Sequence, residues 1–378
     1  MRVLVLGNHP DDGWSMRRYG PLLAAAYRHA GADVRLVEPA RLVSHRLRRG
    51  PLRKLAVYVE CLVAFPPIAF GCTGDTDVVH LADHSNALWL LGPLARRRTV
   101  VTCHDLVAVR AALGELEEHR ARASGRLYQG AVRRGLARAD LVECVSAATE
   151  GDVRRLVRPR ATQVLHNPVS PELGRLASAA STASTASHEP APGPGYALIV
   201  STVGWRKRRD HAIRVWQRLR ADGVLAGLGL RLVGPALTPE ERALLDDEER
   251  AAVVAVTDVS DAALSHEYAG ASVLIQASRH EGFGWPILEA NAHGTPALCA
   301  DLPVFREVAG TAGTFVGDDL DAVDWPAVAA HLTGDAARAR ARGNAARFDY
   351  EGFADALVRH ATAVAGAGAP ATPGTLRT

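Results

Sequence analysis

A buried apolar run, Val273-Leu-Ile-Gln-Ala277, leads into a glycine-bearing loop, a short helical stretch and a second apolar run at Ala297–Ala300. Strand, helix and strand in that order constrain the fold more than any other feature, because parallel strands need a crossover between them. The loop and helix carry Glu281-Gly-Phe-Gly-Trp-Pro-Ile-Leu-Glu289, with carboxylates eight positions apart. Proline suits the first helical position, so the pattern predicts a helix from Pro286 to His293, stopped by Gly294-Thr-Pro296. The signature then lies beyond the carboxyl end of a parallel strand. There, open α/β sheets bind ligands, and unpaired helix amides suit a phosphate. Glu281 falls in the loop and Glu289 about a turn into the helix, so both can face one pocket. Carboxylates do not bind phosphate directly, but they accept hydrogen bonds from sugar or ribose hydroxyls. Phosphate beside hydroxyls describes a nucleotide-sugar.

The alternation of apolar runs with helical patterns extends through the chain and predicts a parallel α/β protein. Strands are expected at Arg2–Leu6, Asp33–Val37, Val78–Leu81, Thr99–Thr102, Leu141–Val145 and Gln163–Leu165. A second series follows at Tyr196–Thr202, Leu230–Val233, Val253–Val256, Val273–Ala277, Ala297–Ala300 and Thr314–Val316. Between the series lies a Ser/Ala/Pro/Gly-rich stretch with little apolar bulk to pack, which reads as a flexible linker or inserted loop. At 378 residues the chain exceeds one ordinary core. The expected organisation is two Rossmann-like halves, 1–176 and 196–345, facing each other across a cleft. The linker covers 177–195, a terminal helix falls within 346–365, and a disordered tail is expected at 366–378.

No run of twenty apolar residues points to a membrane span, and Met1-Arg-Val-Leu-Val-Leu-Gly7 reads as a first strand rather than a signal peptide. The five cysteines are scattered without a Cys-x-x-Cys pair, which argues against a disulfide framework or zinc knuckle and for a reducing cytoplasm. The net charge of +3 hides an asymmetry. Residues 1–176 carry 26 Lys and Arg against 17 Asp and Glu, so the first half is basic and the rest acidic. That excess points either to an anionic partner on the first half or to an arginine-rich composition.

Four further segments carry chemistry. Arg206-Lys-Arg-Arg209 precedes a helix beginning near Asp210; cations oppose the positive end of a helix dipole, and a bound diphosphate would reverse that. His104, in Val100-Val-Thr-Cys-His-Asp105, ends a strand of the first half and would face the cleft, able to donate to a sugar hydroxyl or phosphate or to move a proton. The loop Gly7-Asn-His-Pro-Asp-Asp-Gly13 offers close backbone approach at Gly7 and Gly13. After it, Ser15 is placed to cap a helix and Arg17 and Arg18 to touch phosphate or a charged acceptor. Finally, Arg41 to Lys54 holds six cations and no carboxylate, interleaved with leucines and aromatics. It reads either as a segment for an anionic membrane surface or as a solvated helix face.

These residues resemble glycosyltransferase family 4, retaining enzymes of the GT-B architecture. The match runs from Val259-Ser-Asp and Tyr268-Ala-Gly-Ala-Ser272 through Glu281–Glu289 and Ala290-Asn-Ala-His-Gly-Thr-Pro296 to Asp301-Leu-Pro-Val-Phe-Arg-Glu307. It also includes Arg206-Lys207, Cys103-His-Asp105, Val145-Ser146 and His166-Asn-Pro-Val169. The resemblance implies a hexosyltransferase-type enzyme that moves a sugar from a nucleotide-diphosphate-sugar to an acceptor hydroxyl with retention. It implies that Glu281 and His104 serve the reacting sugar and that Arg206 and Lys207 hold the diphosphate. Gly282, Phe283 and Gly284, with Ile287, Leu288 and Glu289, would hold donor sugar and nucleotide; the loop's own residues, not the resemblance, give Gly13, Ser15 and Arg18 as an acceptor or phosphate loop. No cofactor, metal or nucleic acid is expected. The acceptor is expected to be a glycan, lipid-linked saccharide or small molecule. The expected location is cytoplasmic, peripheral on a membrane through Arg41–Lys54. Two departures stand out: the family often has a further arginine several residues before the lysine, where this chain has Ser201 to Gly204, and His9-Pro-Asp-Asp-Gly13 replaces a glycine-rich first loop.

Competing readings come from other classes. His9-Pro-Asp-Asp12, with His80 and His84 as further ligands, looks like part of the metal motif of zinc-dependent sugar N-deacetylases. Asp75-Thr-Asp77 looks like a metal-binding Asp-x-Asp, although a turn before the strand explains it. A nucleotide-sugar-binding protein without catalysis, or a GT-B epimerase or phosphorylase, would carry a similar fold.

Overall fold

The computed structural model describes residues 1–48, 50–186, 195–221 and 225–367. Twelve strands occur among them, each within two residues of its predicted place. The first six are β1 (Arg2–Leu6), β2 (Asp33–Val37), β3 (Val78–Leu81), β4 (Thr99–Cys103), β5 (Leu141–Cys144) and β6 (Thr162–Val164). The second six are β7 (Tyr196–Val200), β8 (Gly229–Val233), β9 (Val253–Val256), β10 (Val273–Gln276), β11 (Ala297–Ala300) and β12 (Gly313–Val316). They form two six-stranded sheets in the orders β2-β1-β3-β4-β5-β6 and β12-β11-β10-β7-β8-β9. Every pairing is parallel, with Val3 opposite Val34 and Val78, and Leu274 opposite Leu198 and Ala297.

Parallel sheets are covered on both faces, which is why most of these strands read as continuous apolar runs. One face of the first sheet packs Leu4, Leu6, Val101 and Val142 on Trp89 and Leu136; the other packs Val3, Val5 and Val100 on Tyr19, Leu23 and Tyr27. The second sheet is covered likewise, with Trp216 and Leu219 on one side and Ile287, Leu288 and Phe305 on the other.

Each strand order reverses once. In the second sheet the reversal lies between β7 and β10, so the loops after these two strands open side by side. In the first sheet it lies between β1 and β3, where Asn8 Nδ2 donates to Asp83 Oδ2 at 3.2 Å. Such reversal points are where α/β sheets hold ligands.

The linker expectation needs correcting. Residues 177–186 belong to a helix, Pro171–Ala186, and Ala177 is buried. Alanine and serine at consecutive helical positions keep a backbone helical where propensity favours it, and the flanking Leu173 and Leu176 give the apolar contacts that composition alone obscured. Residues 187–194 of that expected linker lie outside the described residues, as does the expected tail from 368 onward. The terminal helix, Tyr350–Gly366, returns to the first half: Phe353, Leu357, Ala361 and Val364 pack with Val3, Tyr19 and Leu23. Its His360 Nδ1 lies 2.9 Å from Glu143 Oε1, and Arg98 Nη1 donates to the Val364 carbonyl at 2.8 Å. Since Leu357 is wholly buried against the first half, Leu357→Ala should lower unfolding free energy by about 2–5 kcal/mol through the cavity it leaves. Denaturant unfolding measures this; an unchanged midpoint would mean that the helix does not dock.

Candidate active site

The loop after β7 holds Arg206 and Lys207, and the loop after β10 holds Glu281. Their adjacency follows from the sheet reversal. Lys207 Nζ pairs with Glu281 Oε1, which also accepts from Ser278 Oγ at 2.9 Å. Arg206 Nη1 lies 3.7 Å from Glu281 Oε2 and 3.7 Å from Asp105 Oδ2 of the first half. A cation pair and two carboxylates therefore meet where the halves face each other. The rest of the basic run serves the fold. Arg209 is buried, donating to the Pro235 carbonyl at 2.9 Å and to Glu241 at 2.8 Å, and Arg208 pairs with Asp318. Anion binding, expected of four cations, narrows to Arg206 and Lys207.

At Gly282 the backbones of the two halves meet. The Gly282 carbonyl accepts from Ser146 Oγ at 2.7 Å and Thr149 Oγ1 at 3.1 Å. A Cβ at this position would lie 1.6 Å from the His104 carbonyl oxygen. Gly284 has φ +107°, in the left-handed region, and precedes the helix Trp285–Ala292, with Pro286 in its second position. The Trp285 amide, first in this helix, has no intrahelical acceptor, and with the loop amides before it can seat an anion. Ile287 and Leu288 stand behind the seat: their side chains are core, and their amides reach Gly284 O at 3.0 and 3.4 Å. Their side chains support the loop from the core. Phe283 is also buried, its ring edge-on to Phe348 at 5.9 Å.

Glu289 is half-buried at the other end of the helix face, where Tyr268 OH donates to its Oε2 at 2.7 Å. Burial pushes its carboxyl up, while the Tyr268 hydrogen bond and the Arg18 charge pull the other way. Arg18, from the first half, lies 3.7 Å from Asp261 and lines a small cavity with Glu289, Tyr268, Glu172, Leu173 and Leu176. Arg18 thus faces the Glu289 end of the cleft rather than Lys207. Ser15 does not cap its helix: the helix starts at Trp14, with Gly13 as the N-cap residue. A Cβ at Gly13 would meet no protein atom within 4 Å, whereas one at Gly7 would lie 2.7 Å from Glu38.

His104 is buried, edge-on to Tyr19 at 4.5 Å between centroids. Its Nε2 lies 2.8 Å from the Ala82 carbonyl, so Nε2 carries the proton. Burial lowers its pKa against the pull of Asp83, which favours the neutral ring. Nδ1 then holds a lone pair: it accepts a hydroxyl proton rather than donating to one.

Several contributors escaped sequence reasoning. Glu307 reaches across the cleft to the start of the helix Ala147–Leu156, accepting from Ala147 N at 2.7 Å and Ala148 N at 3.3 Å, and it also binds His166 Nε2 at 2.6 Å. Burial would raise its carboxyl, but these hydrogen bonds prevail and hold it below the usual range. Arg279 pairs with Glu118 at 2.6 Å, and His119 stacks on Trp205 at 5.4 Å, both between the halves.

Residues of the two metal readings have protein partners here. His9 Nε2 lies 2.9 Å from Glu60 Oε2, and its Nδ1 accepts from Asp11 N at 3.1 Å. Asp11 is held by Arg53 and Arg41, and Asp77 accepts from Arg2 N at 2.7 Å, capping the sheet edge. Among the described residues no group of three or more His, Cys, Asp or Glu side chains is placed to hold an ion.

Two parallel sheets with a site between their carboxyl ends define a GT-B architecture. The family model of glycosyltransferase family 4 matches residues 16–173, and that of glycosyl transferases group 1 matches residues 181–346. The D-inositol 3-phosphate glycosyltransferase of Geodermatophilus obscurus is 30% identical over 335 residues, covering 80% of this chain and 71% of that protein. The O-antigen chain mannosyltransferase B of Escherichia coli is 31% identical over 139 residues, 34% of this chain and 35% of that protein, so the match spans about a third of that relative. Among solved structures, Anabaena HepE in complex with UDP-glucose shares the fold with a TM-score of 0.62 at 15% identity, over 96% of this chain and 100% of that one. The chain belongs to glycosyltransferase family 4.

The Gly282 contact gives a direct test. Gly282→Ala should lower the thermal midpoint, since its Cβ forces the halves apart, and lower kcat/KM by about a hundredfold, the scale of a 1 Å misplacement of reacting groups. Full activity in this variant would mean that the two halves need not approach this closely.

Proposed function

We propose that the chain transfers a hexosyl group from a nucleoside-diphosphate-hexose to an acceptor hydroxyl, with retention at the anomeric carbon and without a metal. The carrying observation is that Lys207, Arg206 and the helix-start amides around Gly284 converge with Glu281, while Glu289 lies along the same helix. The cations and amides fit a diphosphate. Glu289 suits the ribose hydroxyls, and Glu281 with His104 Nδ1 suits the hydroxyls of the sugar.

In this reading the bond from C1 to the diphosphate oxygen breaks, and the acceptor oxygen forms its bond to C1 on the same face. The acceptor proton passes to the departing diphosphate. Negative charge grows on that diphosphate as the bond lengthens, and preorganised cations and amides stabilise it in a site shielded from water. Donor binding would free Lys207 from Glu281, so the ion pair acts as a placeholder for the phosphate. The acceptor proposed is a saccharide, lipid-linked or otherwise presented at a membrane, and the enzyme is placed on the cytoplasmic side.

Calorimetry against UDP, GDP, ADP and TDP and their hexose conjugates, in EDTA, tests the reading. One nucleotide should bind, and Lys207→Ala should lower kcat by about 10²–10³, the scale of one lost electrostatic donor. Lack of binding by all of them, or a strict need for a divalent ion, would count against it. A pH dependence follows as well. Burial raises the Glu289 pKa, so its charged form is full above that value and disappears as pH drops through it, earlier than for an exposed glutamate. Nucleotide affinity should therefore weaken on mild acidification, and Glu289→Gln should flatten the profile. An identical pH profile in the variant would remove Glu289 from the binding site.

A further inference from the structure

We infer that the helical ridge Pro51–Gly71 is a docking surface for an anionic lipid bilayer, lying in the membrane interface with its apolar side chains inserted. This deepens the membrane-side acceptor proposed above. The ridge is one continuous helical run of 21 residues. It is α-helical over Pro51–Val59, widens into a π turn at Glu60–Ala64 and resumes at Phe65–Gly71. None of the residues in its first segment is buried. Leu52, Leu55, Val59 and Val63 recur at spacings of three and four and so share one face. Leu52 is 71% and Val63 66% exposed. Tyr58, Ile68 and Phe70 extend the exposed apolar surface, and Leu42 and Val43 border it. Apolar side chains this numerous and contiguous mark an interaction surface rather than scattered exposure.

Length and composition would also suit a membrane-spanning helix, but the opposite face is built into the first half. Phe65 and Ala69 are core, Trp89 Nε1 donates to the Cys61 carbonyl at 3.2 Å, and Glu60 is buried. Glu60 Oε1 accepts the amides of Leu42, Val43 and Ser44 at 2.8, 2.6 and 2.8 Å, and these bonds hold its carboxyl down at about 2 against the effect of burial. The π turn aims this carboxylate inward, where it fastens the basic segment and His9 together. A helix pinned along one face lies on a membrane; it does not cross it.

Charge selects the occupant. From Pro39 to Gly74 the sole acidic residue is Glu60. Of the cations expected to face a membrane, Arg41 and Arg53 are instead held by Asp11 at 2.7 and 2.9 Å, and Arg49 lies outside the described residues. Arg46, Arg48 and Lys54 are exposed beside the ridge. An apolar strip rimmed by cations, its own single carboxylate turned inward, complements anionic headgroups over acyl chains. Against a second copy of the chain, the same strip would bring two basic rims together. Because Asp11 and His9 belong to the loop after β1 at the cleft, a membrane on the ridge would lie beside the acceptor side of the site.

The test is co-sedimentation of the full chain with phosphatidylcholine vesicles, with and without phosphatidylglycerol. Wild type should bind, and more tightly to the anionic vesicles. L55E/V63E, both exposed positions, should lose binding to both compositions. R46E/K54E should keep apolar binding but lose the anionic preference, by about fivefold per cation. Unchanged sedimentation of both variants would overturn the inference. So would a wild type that ignores vesicles and is a dimer by light scattering, made monomeric by L55E/V63E. Nucleotide calorimetry on the same variants separates the two proposals: absent nucleotide binding with intact vesicle binding faults the active-site reading alone.

Discussion

The architecture of the site depends on one backbone approach, that of Gly282 to the first half. No other residue type fits there, because a Cβ would lie 1.6 Å from the His104 carbonyl oxygen. The contact is reinforced from both directions. Ser146 caps its own helix by accepting from Thr149 N at 3.1 Å and donates to the Gly282 carbonyl. Glu307 of the second half accepts from the first two amides of that same helix, a carboxylate at the positive end of a helix dipole. Each half thus completes hydrogen bonds left open at a loop or helix end of the other. Neither half alone assembles Asp105, Arg206, Lys207 and Glu281.

Sheet topology explains why those four residues meet. The reversal between β7 and β10 opens their following loops side by side, which joins residues 207 and 281 across a long stretch of sequence. The two carboxylates of the signature then take unlike surroundings from one short helix. Glu281 sits among cations and Ser278 at the cleft. Glu289 is desolvated beside Tyr268, whose own burial keeps its phenol protonated and donating. The helix Pro171–Ala186 lines a small cavity with that second carboxylate through Glu172, Leu173 and Leu176.

Features encoded in short stretches of sequence were legible. Buried apolar runs located all twelve strands, and the loop–proline–helix pattern located Glu281 and Glu289. Features that depend on distant partners were not. Four adjacent cations at 206–209 look alike in sequence, and only the fold sends Arg209 inward to Glu241 and Arg208 to Asp318. Glu60 carries no local signal, and the motif ending at Glu307 gives no hint of its role, since their partners lie from 16 to 160 residues away. Ser15 matched the expected composition of a cap, but the helix begins one residue earlier. The alanine–serine stretch at 177–186 was read as linker because low complexity hides helical propensity when the packing partner is elsewhere in the chain.

A crystal structure of the protein with its nucleotide-hexose donor tests the central claim most directly, since it shows which groups the ligand joins. The account predicts the diphosphate on Lys207 and the amides of Gly282 to Gly284, the ribose on Glu289, the hexose beside Glu281 and His104, and Gly282 still against the first half. A donor bound wholly within the first half, or one held in the second half with the Gly282 contact broken and His104 remote, would contradict it.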